Sequence, residues 1–166
     1  MKQLIVMRHA KTEMHSADGS DFGRRLTPEG LIESTAAGNY LRKMNLFPDC
    51  ILSSAALRAA QTAGKVAVVL GFSEASIKLD RLIYNTADHG LITRISEVDN
   101  GIDTLLVVGH NPTVTSMVRK VSEVRIDNMP PGSLVALSYQ ISRWTEWSGQ
   151  RGKYLFFAQP PFTGWK

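Results

Sequence analysis

Leu4-Ile5-Val6-Met7-Arg8-His9-Ala10 is the stretch on which the fold turns. Four consecutive apolar residues give way, without a spacer, to a guanidinium and an imidazole. The same arrangement returns twice. Ile51-Leu52 runs into Ser53-Ser54-Ala55-Ala56-Leu57-Arg58, and Thr104-Leu105-Leu106-Val107-Val108 runs into Gly109-His110-Asn111-Pro112. A short run that is apolar at successive positions, rather than alternate ones, reads as a strand buried on both faces of a parallel sheet. In open α/β sheets, ligands collect in the crevice outside the carboxyl ends of the strands. Three such strand ends bring two arginines and two histidines to one place. That set suits a phosphoryl group, and one of its members is a potential nucleophile.

Working outward, strand 3–8 feeds a polar loop, 11–27, rich in Asp, Ser and Gly. Thr27-Pro28-Glu29-Gly30 then opens a helix to about Met44: a threonine cap, proline at the first position and an acidic residue in the first turn. Strand 50–53 follows, with Ser54 placed to cap a helix over 55–70 and Gly71 placed to end it. A short edge strand is expected at 76–80, a helix from Thr86 to Val98 and a strand over 104–109. A helix capped and started by Asn111-Pro112 then runs to Val121. After the break at Pro130-Pro131-Gly132, Leu134–Tyr139 and Tyr154–Phe157 read as an antiparallel hairpin around Trp144, Trp147 and Gly149. The alternation of strand and helix predicts a three-layer α/β/α fold. Its central sheet is mostly parallel, with antiparallel strands at the margin. Trp144, Trp147 and Trp165 are expected in the core of the terminal hairpin rather than on a contact surface.

Composition narrows the function classes. The chain has 166 residues, 43% hydrophobic and 20% charged, as expected of one globular domain spanning 1–166. The net charge is +4, but no Lys/Arg run is present, so an anionic phosphorylated substrate accounts for the balance as well as nucleic acid does. No nucleic-acid partner is expected. The single cysteine, Cys50, lies in an apolar strand and cannot form an internal disulfide, which fits a reducing, cytoplasmic setting. The N-terminal apolar run is too short for a signal peptide, and no run approaches the roughly 20 residues of a membrane span. These features assign no oligomeric state.

Each candidate site residue has a chemical reason and an ordinary alternative. His9 is the candidate nucleophile; it must be neutral to attack, and Arg8 and Arg58 disfavour its protonation. Its alternative is a structural histidine at a strand end. Arg8 and Arg58 offer guanidinium forks that match phosphoryl oxygens bidentately, with Arg58 in the first turn of a helix whose free N–H groups favour an anion. The alternative for Arg58 is a solvated helix arginine. His110 would donate to a phosphoryl oxygen as charge develops, or else merely cap its turn. His15 and His89 read as surface residues. No His/Asp/Glu set has the spacing of a metal site, and no cofactor is expected.

Arg8-His9-Ala10, Ser53-x-x-x-x-Arg58-Ala59-x-Gln61-Thr62 and Gly109-His110-Asn111-Pro112, in that order, resemble the histidine phosphatase superfamily with its phosphoglycerate mutase-like fold. The short length and Asp21-x-x-Arg24-Arg25-Leu26-Thr27-Pro28-Glu29-Gly30 look most like its SixA-type phosphohistidine phosphatases. The likeness runs over about residues 3–121. Two departures are Ala10, where many relatives have glycine, and Ser53-Ser54-Ala55-Ala56 in place of the commoner Ser-Pro. The resemblance makes Arg24 a further phosphate ligand. Arg25 beside it reads as a surface charge, and the sequence leaves open which of the two points inward. It also points to a carboxylate after the middle strand as general acid. Asp80 is the nearest equivalent and Glu74 a poorer one, while pairing with Arg81 is the alternative role for Asp80.

The expectation is therefore a metal-independent phosphatase with a phosphohistidine intermediate at His9. Only about fifty residues separate Arg58 from His110, too few for a large lid domain. This favours phosphohistidine on a partner protein as the substrate. A small-metabolite phosphomonoesterase is the first alternative, and a mutase fits less well because it must shield its phosphoenzyme from water. A non-catalytic phosphate-binding module is the rival from another class. The intact Arg8, His9, Arg58 and His110 set argues against it.

Overall fold

The computed structural model describes residues 1–162; the reading for Trp165 lies outside them. Six strands form one mixed sheet. They are β1 (Lys2–Arg8), β2 (Cys50–Ser54), β3 (Lys78–Asp80), β4 (Thr104–Gly109), β5 (Leu134–Tyr139) and β6 (Lys153–Ala158). The sheet order is β3-β2-β4-β1-β5-β6, with β1 to β4 mutually parallel and β5 and β6 antiparallel at one margin. Parallel neighbours need crossovers, supplied by α1 (Pro28–Lys43), α2 (Leu57–Leu70) and α3 (Asp88–Ser96). After β4, α4 (Thr113–Val121) leads to β5.

The doubly apolar strands serve two cores, because successive side chains leave opposite faces of the sheet. Leu4, Val6, Leu105 and Val107 face α3, α4 and the 3₁₀ segment Trp144–Gly149, with Trp144 and Trp147 fully buried. Ile5, Met7, Leu106 and Val108 face α1 and α2 through Ala37, Leu41, Ala63 and Val66. The result is the three-layer α/β/α architecture expected from the alternation. The two tryptophans are core residues whose indole N–H groups donate to the Ile102 carbonyl and to Ser96 Oγ. Among the described residues, no helix is long and apolar enough to cross a membrane.

Several local expectations hold in detail. Thr27 Oγ1 accepts from Gly30 N at 3.0 Å, with Pro28 at the head of α1, and Gly71 closes α2 at a φ of 74°. Others move. The expected helix at 55 starts at Leu57 because Ala55 N donates to the Asp80 carbonyl and Ala56 N to Ser54 Oγ. The expected strand 76–80 shrinks to Lys78–Asp80, since 74–76 form a 3₁₀ turn. Asn111 does not cap α4. Its Oδ1 accepts from Thr115 Oγ1, and its Nδ2 donates to Asn128 Oδ1 and the Met129 carbonyl, stitching α4 to the segment before β5.

Candidate active site

The order β2-β4-β1 makes the three strands that carry charge at their ends immediate neighbours. Arg8 lies level with Gly109, and Ser53 with Val108, so all three strands stop at the same height. A cleft of about 730 Å³ opens there, with Arg8, His9, Arg24, Arg58 and His110 on its wall. Five residues expected from the sequence to handle phosphate therefore meet in one place.

His9 is fixed from both sides. Its N–H donates to the Gly109 carbonyl at 3.0 Å, while Gly132 N donates to the carbonyls of Arg8 and His9. Gly132 has a φ of 76°, a conformation that glycine adopts without strain, so the apparent break at 130–132 is in fact a clasp on the end of β1. His9 Nδ1 lies 2.8 Å from the Ala10 carbonyl. A carbonyl only accepts, so the proton sits on Nδ1 and Nε2 keeps its lone pair. Burial, with the charges of Arg58, Arg8 and Arg24, outweighs the Ala10 bond and pushes the His9 pKa down to about 4. The ring is neutral near pH 7.

His110 faces His9 with ring centroids 5.1 Å apart. Burial, the neighbouring His9 and Arg58 push its pKa down to about 3, so it too is neutral. Arg8 Nη1 donates to the Met129 carbonyl at 2.9 Å. Arg58 Nη1 and Nη2 donate to the main-chain oxygen and to Oδ2 of Asp21, at 2.6 and 2.9 Å. The Asp21 carboxylate also accepts from Arg24 Nη1 and Tyr84 Oη. The Arg24 bond, with those from Tyr84 and Arg58, holds its pKa far below the ordinary carboxylate range. Asp21 is thus an ionised bridge between Arg24 in the loop and Arg58 at the start of α2.

Among the described residues, three buried side-chain nitrogens lack a hydrogen-bond partner: Arg8 Nε, Arg58 Nε and His110 Nδ1. All three belong to side chains on the cleft wall. Buried polar atoms are normally satisfied, so two guanidinium N–H groups and an imidazole nitrogen left without partners single out this cleft as a candidate ligand site.

Profile comparison matches residues 4–83 to the histidine phosphatase superfamily (branch 1). Phosphohistidine phosphatase SixA of Escherichia coli is 30% identical over 121 residues, covering 72% of this chain and 73% of that protein. The chain belongs to the histidine phosphatase superfamily. An uncharacterised Mycobacterium tuberculosis protein, Rv1276c, is 31% identical over 150 residues, 84% of this chain and 90% of its own length. The solved structure of the protein histidine phosphatase SixA complexed with tungstate shares the fold, with a TM-score of 0.79 over 95% of this chain and 97% of that one, at 24% identity. Family membership supports a phosphatase, a hydrolase of phosphorylated substrates.

Within this histidine phosphatase the expected acid is elsewhere. Asp80 ends the edge strand β3, where Oδ1 accepts from Leu82 N and Oδ2 from Arg94 Nε at 2.6 Å, and it does not line the cleft. Its partner is Arg94, not Arg81, whose guanidinium lies over the Phe22 ring. Glu74 is exposed on its 3₁₀ turn and also off the cleft. The carboxylate on the cleft wall is Glu29, paired with Lys11. At the α2 N-terminus the amides of Ala56 and Leu57 are already spent, on Ser54 Oγ and the Phe22 carbonyl. Arg25 is exposed and off the cleft, as expected of a surface charge. Asp21 and Tyr84 were not singled out from the sequence. The i,i+3 spacing of Asp21 and Arg24 was the available signal.

Proposed function

We propose that this histidine phosphatase dephosphorylates phosphohistidine on a partner protein, by metal-independent transfer of the phosphoryl group to His9 Nε2. The observation that carries the reading is the bond from His9 Nδ1–H to the Ala10 carbonyl, which leaves Nε2 as the lone-pair nitrogen of a neutral ring. In the first step the His9 Nε2–P bond forms as the substrate P–N bond breaks. Arg8, Arg58 and His110 hold the phosphoryl oxygens through the transfer. Water then attacks phosphorus, releasing inorganic phosphate and regenerating His9.

Two features favour a phosphohistidine protein over an alkyl phosphate. A phosphohistidine ring protonated on its second nitrogen departs as neutral imidazole, so it asks for no protein acid, whereas an alkoxide does. Among the described residues, the carboxylates at the cleft are Glu29, tied to Lys11, and Asp21, held ionised by Arg24, Tyr84 and Arg58, so neither is a free proton donor. The segment between Arg58 and His110 brings Tyr84 against His110 and Arg58 at the edge of the cleft, and none of residues 59–109 lines the cleft itself, which favours an open site. A panel comparing kcat/KM for a phosphohistidine protein, an aryl phosphate and alkyl phosphates tests the reading. The expected order places phosphohistidine first and alkyl phosphates far behind. A preference for a small alkyl phosphate replaces this substrate by a metabolite, and absence of turnover on every class removes the phosphatase.

A further inference from the structure

His110 contributes to such a site only if its proton is on the correct nitrogen. Its Nδ1 is one of the three buried orphans, while Nε2 lies 2.7 Å from Ser54 Oγ. We infer that Ser54 is a positioning residue that donates its hydroxyl proton to His110 Nε2 and so fixes the tautomer whose Nδ1–H is free for a phosphoryl oxygen.

The direction of that bond follows from the other partners of Ser54. The side chain is fully buried, and Oγ accepts from Ala56 N at 3.2 Å. An amide N–H can only donate, so this contact uses an acceptor site of the hydroxyl. Among the described residues, the hydroxyl proton has no acceptor other than His110 Nε2. Ala56 N–H to Ser54 Oγ–H to His110 Nε2 is therefore a chain in which every group is satisfied, and it leaves Nδ1–H as the single unspent donor. The reverse arrangement, with Nε2–H donating to Ser54, strands a buried serine proton. It also turns a lone pair at Nδ1 toward whatever anion joins the orphaned Arg8 and Arg58 nitrogens. Because the ring is neutral near pH 7, the choice between tautomers decides whether it attracts or repels a phosphoryl oxygen.

The chain also explains why this serine does not act as the helix cap that its place before α2 suggests. Its hydroxyl accepts from Ala56 N outside the helix and spends its proton across the sheet on the end of β4. Ser53 is a poor substitute, since its own hydroxyl donates to the Ser54 carbonyl.

The inference rests on the proposed phosphoryl site but is read independently of turnover. In ¹⁵N-detected imidazole spectra of the wild-type protein near pH 7, His110 should carry its proton on Nδ1. In Ser54→Ala the population should move toward Nε2–H, kcat/KM on a phosphohistidine protein should fall about 10- to 100-fold, by analogy with the loss of a partner that orients a metal-bound imidazole, and inorganic phosphate should bind more weakly. Ser54→Thr, which keeps the hydroxyl, should restore the Nδ1–H tautomer and most of the activity. A wild-type spectrum showing Nε2–H, or a Ser54→Ala variant with unchanged tautomer and rate, overturns the inference. The wild-type spectrum decides even if Ser54→Ala does not fold. If the wrong tautomer is found while His9→Ala still abolishes turnover, the assignment of Ser54 fails and the phosphatase stands. If no substrate class is turned over, the phosphatase reading fails whatever the spectrum shows.

Discussion

Arg58 Nη2 and Asp21 Oδ2 lie 2.9 Å apart, so the proposed phosphate clamp rests as an ion pair with an aspartate contributed by the loop after β1. The side chain of Arg58 is 8% exposed and that of Asp21 52%. The carboxylate thus screens a buried cation from its solvent side. It also places negative charge close to the proposed site of an anionic substrate and of the phosphate product.

Asp21→Asn should therefore tighten product inhibition. Arg58 keeps its bond to the Asp21 main-chain oxygen, so the fork stays near its place while one negative charge is removed. Removing a like charge a few ångströms away in a water-like medium is worth on the order of 1 kcal/mol, or roughly 5-fold in the inhibition constant of inorganic phosphate. Steady-state inhibition measured for both proteins checks this. A weaker inhibition constant in the variant would mean that Asp21 serves chiefly to orient Arg58.

The pH profile should reflect two depressed histidines. His9 must be neutral to attack, and its pKa of about 4, with His110 at about 3, places the acid limb of kcat/KM well below the 6.5 of a free imidazole. The sign for stability follows from the same shifts. Between about pH 4 and 6.5 the unfolded chain binds a proton at each histidine that the folded chain refuses, so stability rises with pH across that window. For His9 the effect amounts to roughly 3 kcal/mol between those limits. Denaturant titrations at pH 5 and pH 7 measure it. Equal stability at the two values would contradict the burial of neutral imidazoles.

Asp80→Asn should leave the ratio of alkyl to aryl phosphate hydrolysis unchanged, because Asp80 is occupied by Arg94 and Leu82 N away from the cleft. Asparagine retains the turn bond and loses the ion pair, costing on the order of 1 kcal/mol of stability or less. Kinetics on both ester types, with a melting curve, test this. A selective loss on alkyl phosphates would return Asp80 to the role of general acid.

Arg58→Lys preserves charge but not the two-pronged geometry. It should cost roughly 2–4 kcal/mol of transition-state stabilisation, the scale of a lost oxyanion donor. The ratio of kcat/KM values gives that energy directly. Turnover equal to wild type would place Arg58 outside the reaction. Added EDTA should leave the wild type unaffected.

What the sequence made legible was backbone and charge. The apolar runs at 4–7, 51–52 and 104–108 identified buried strands, and the residues following them identified the site, because strand ends are where a parallel sheet gathers side chains. Contacts formed by long, mobile side chains were hidden. Nothing in the string shows that Arg94, in α3, reaches back to Asp80, or that Asp21 bridges Arg58 and Arg24. Ser54 was read by its local position as a cap, whereas its proton is spent on His110, 56 residues later in the chain and one strand away in the sheet. Pro130-Pro131-Gly132 was read as a break. Its role in clasping Arg8 and His9 depends on a φ value and on an antiparallel neighbour strand that composition does not reveal.

The central claim is phosphoryl transfer to one nitrogen of one histidine. The direct measurement is to quench the enzyme during turnover under alkaline conditions, which preserve phosphohistidine, and to locate the phosphoryl group by mass spectrometry and phosphorus NMR. The account predicts phosphate on His9, at Nε2, because Nδ1 is committed to the Ala10 carbonyl. It also predicts none in His9→Ala. Phosphate on Nδ1 of His9, phosphate on another residue, or steady turnover by His9→Ala would contradict it.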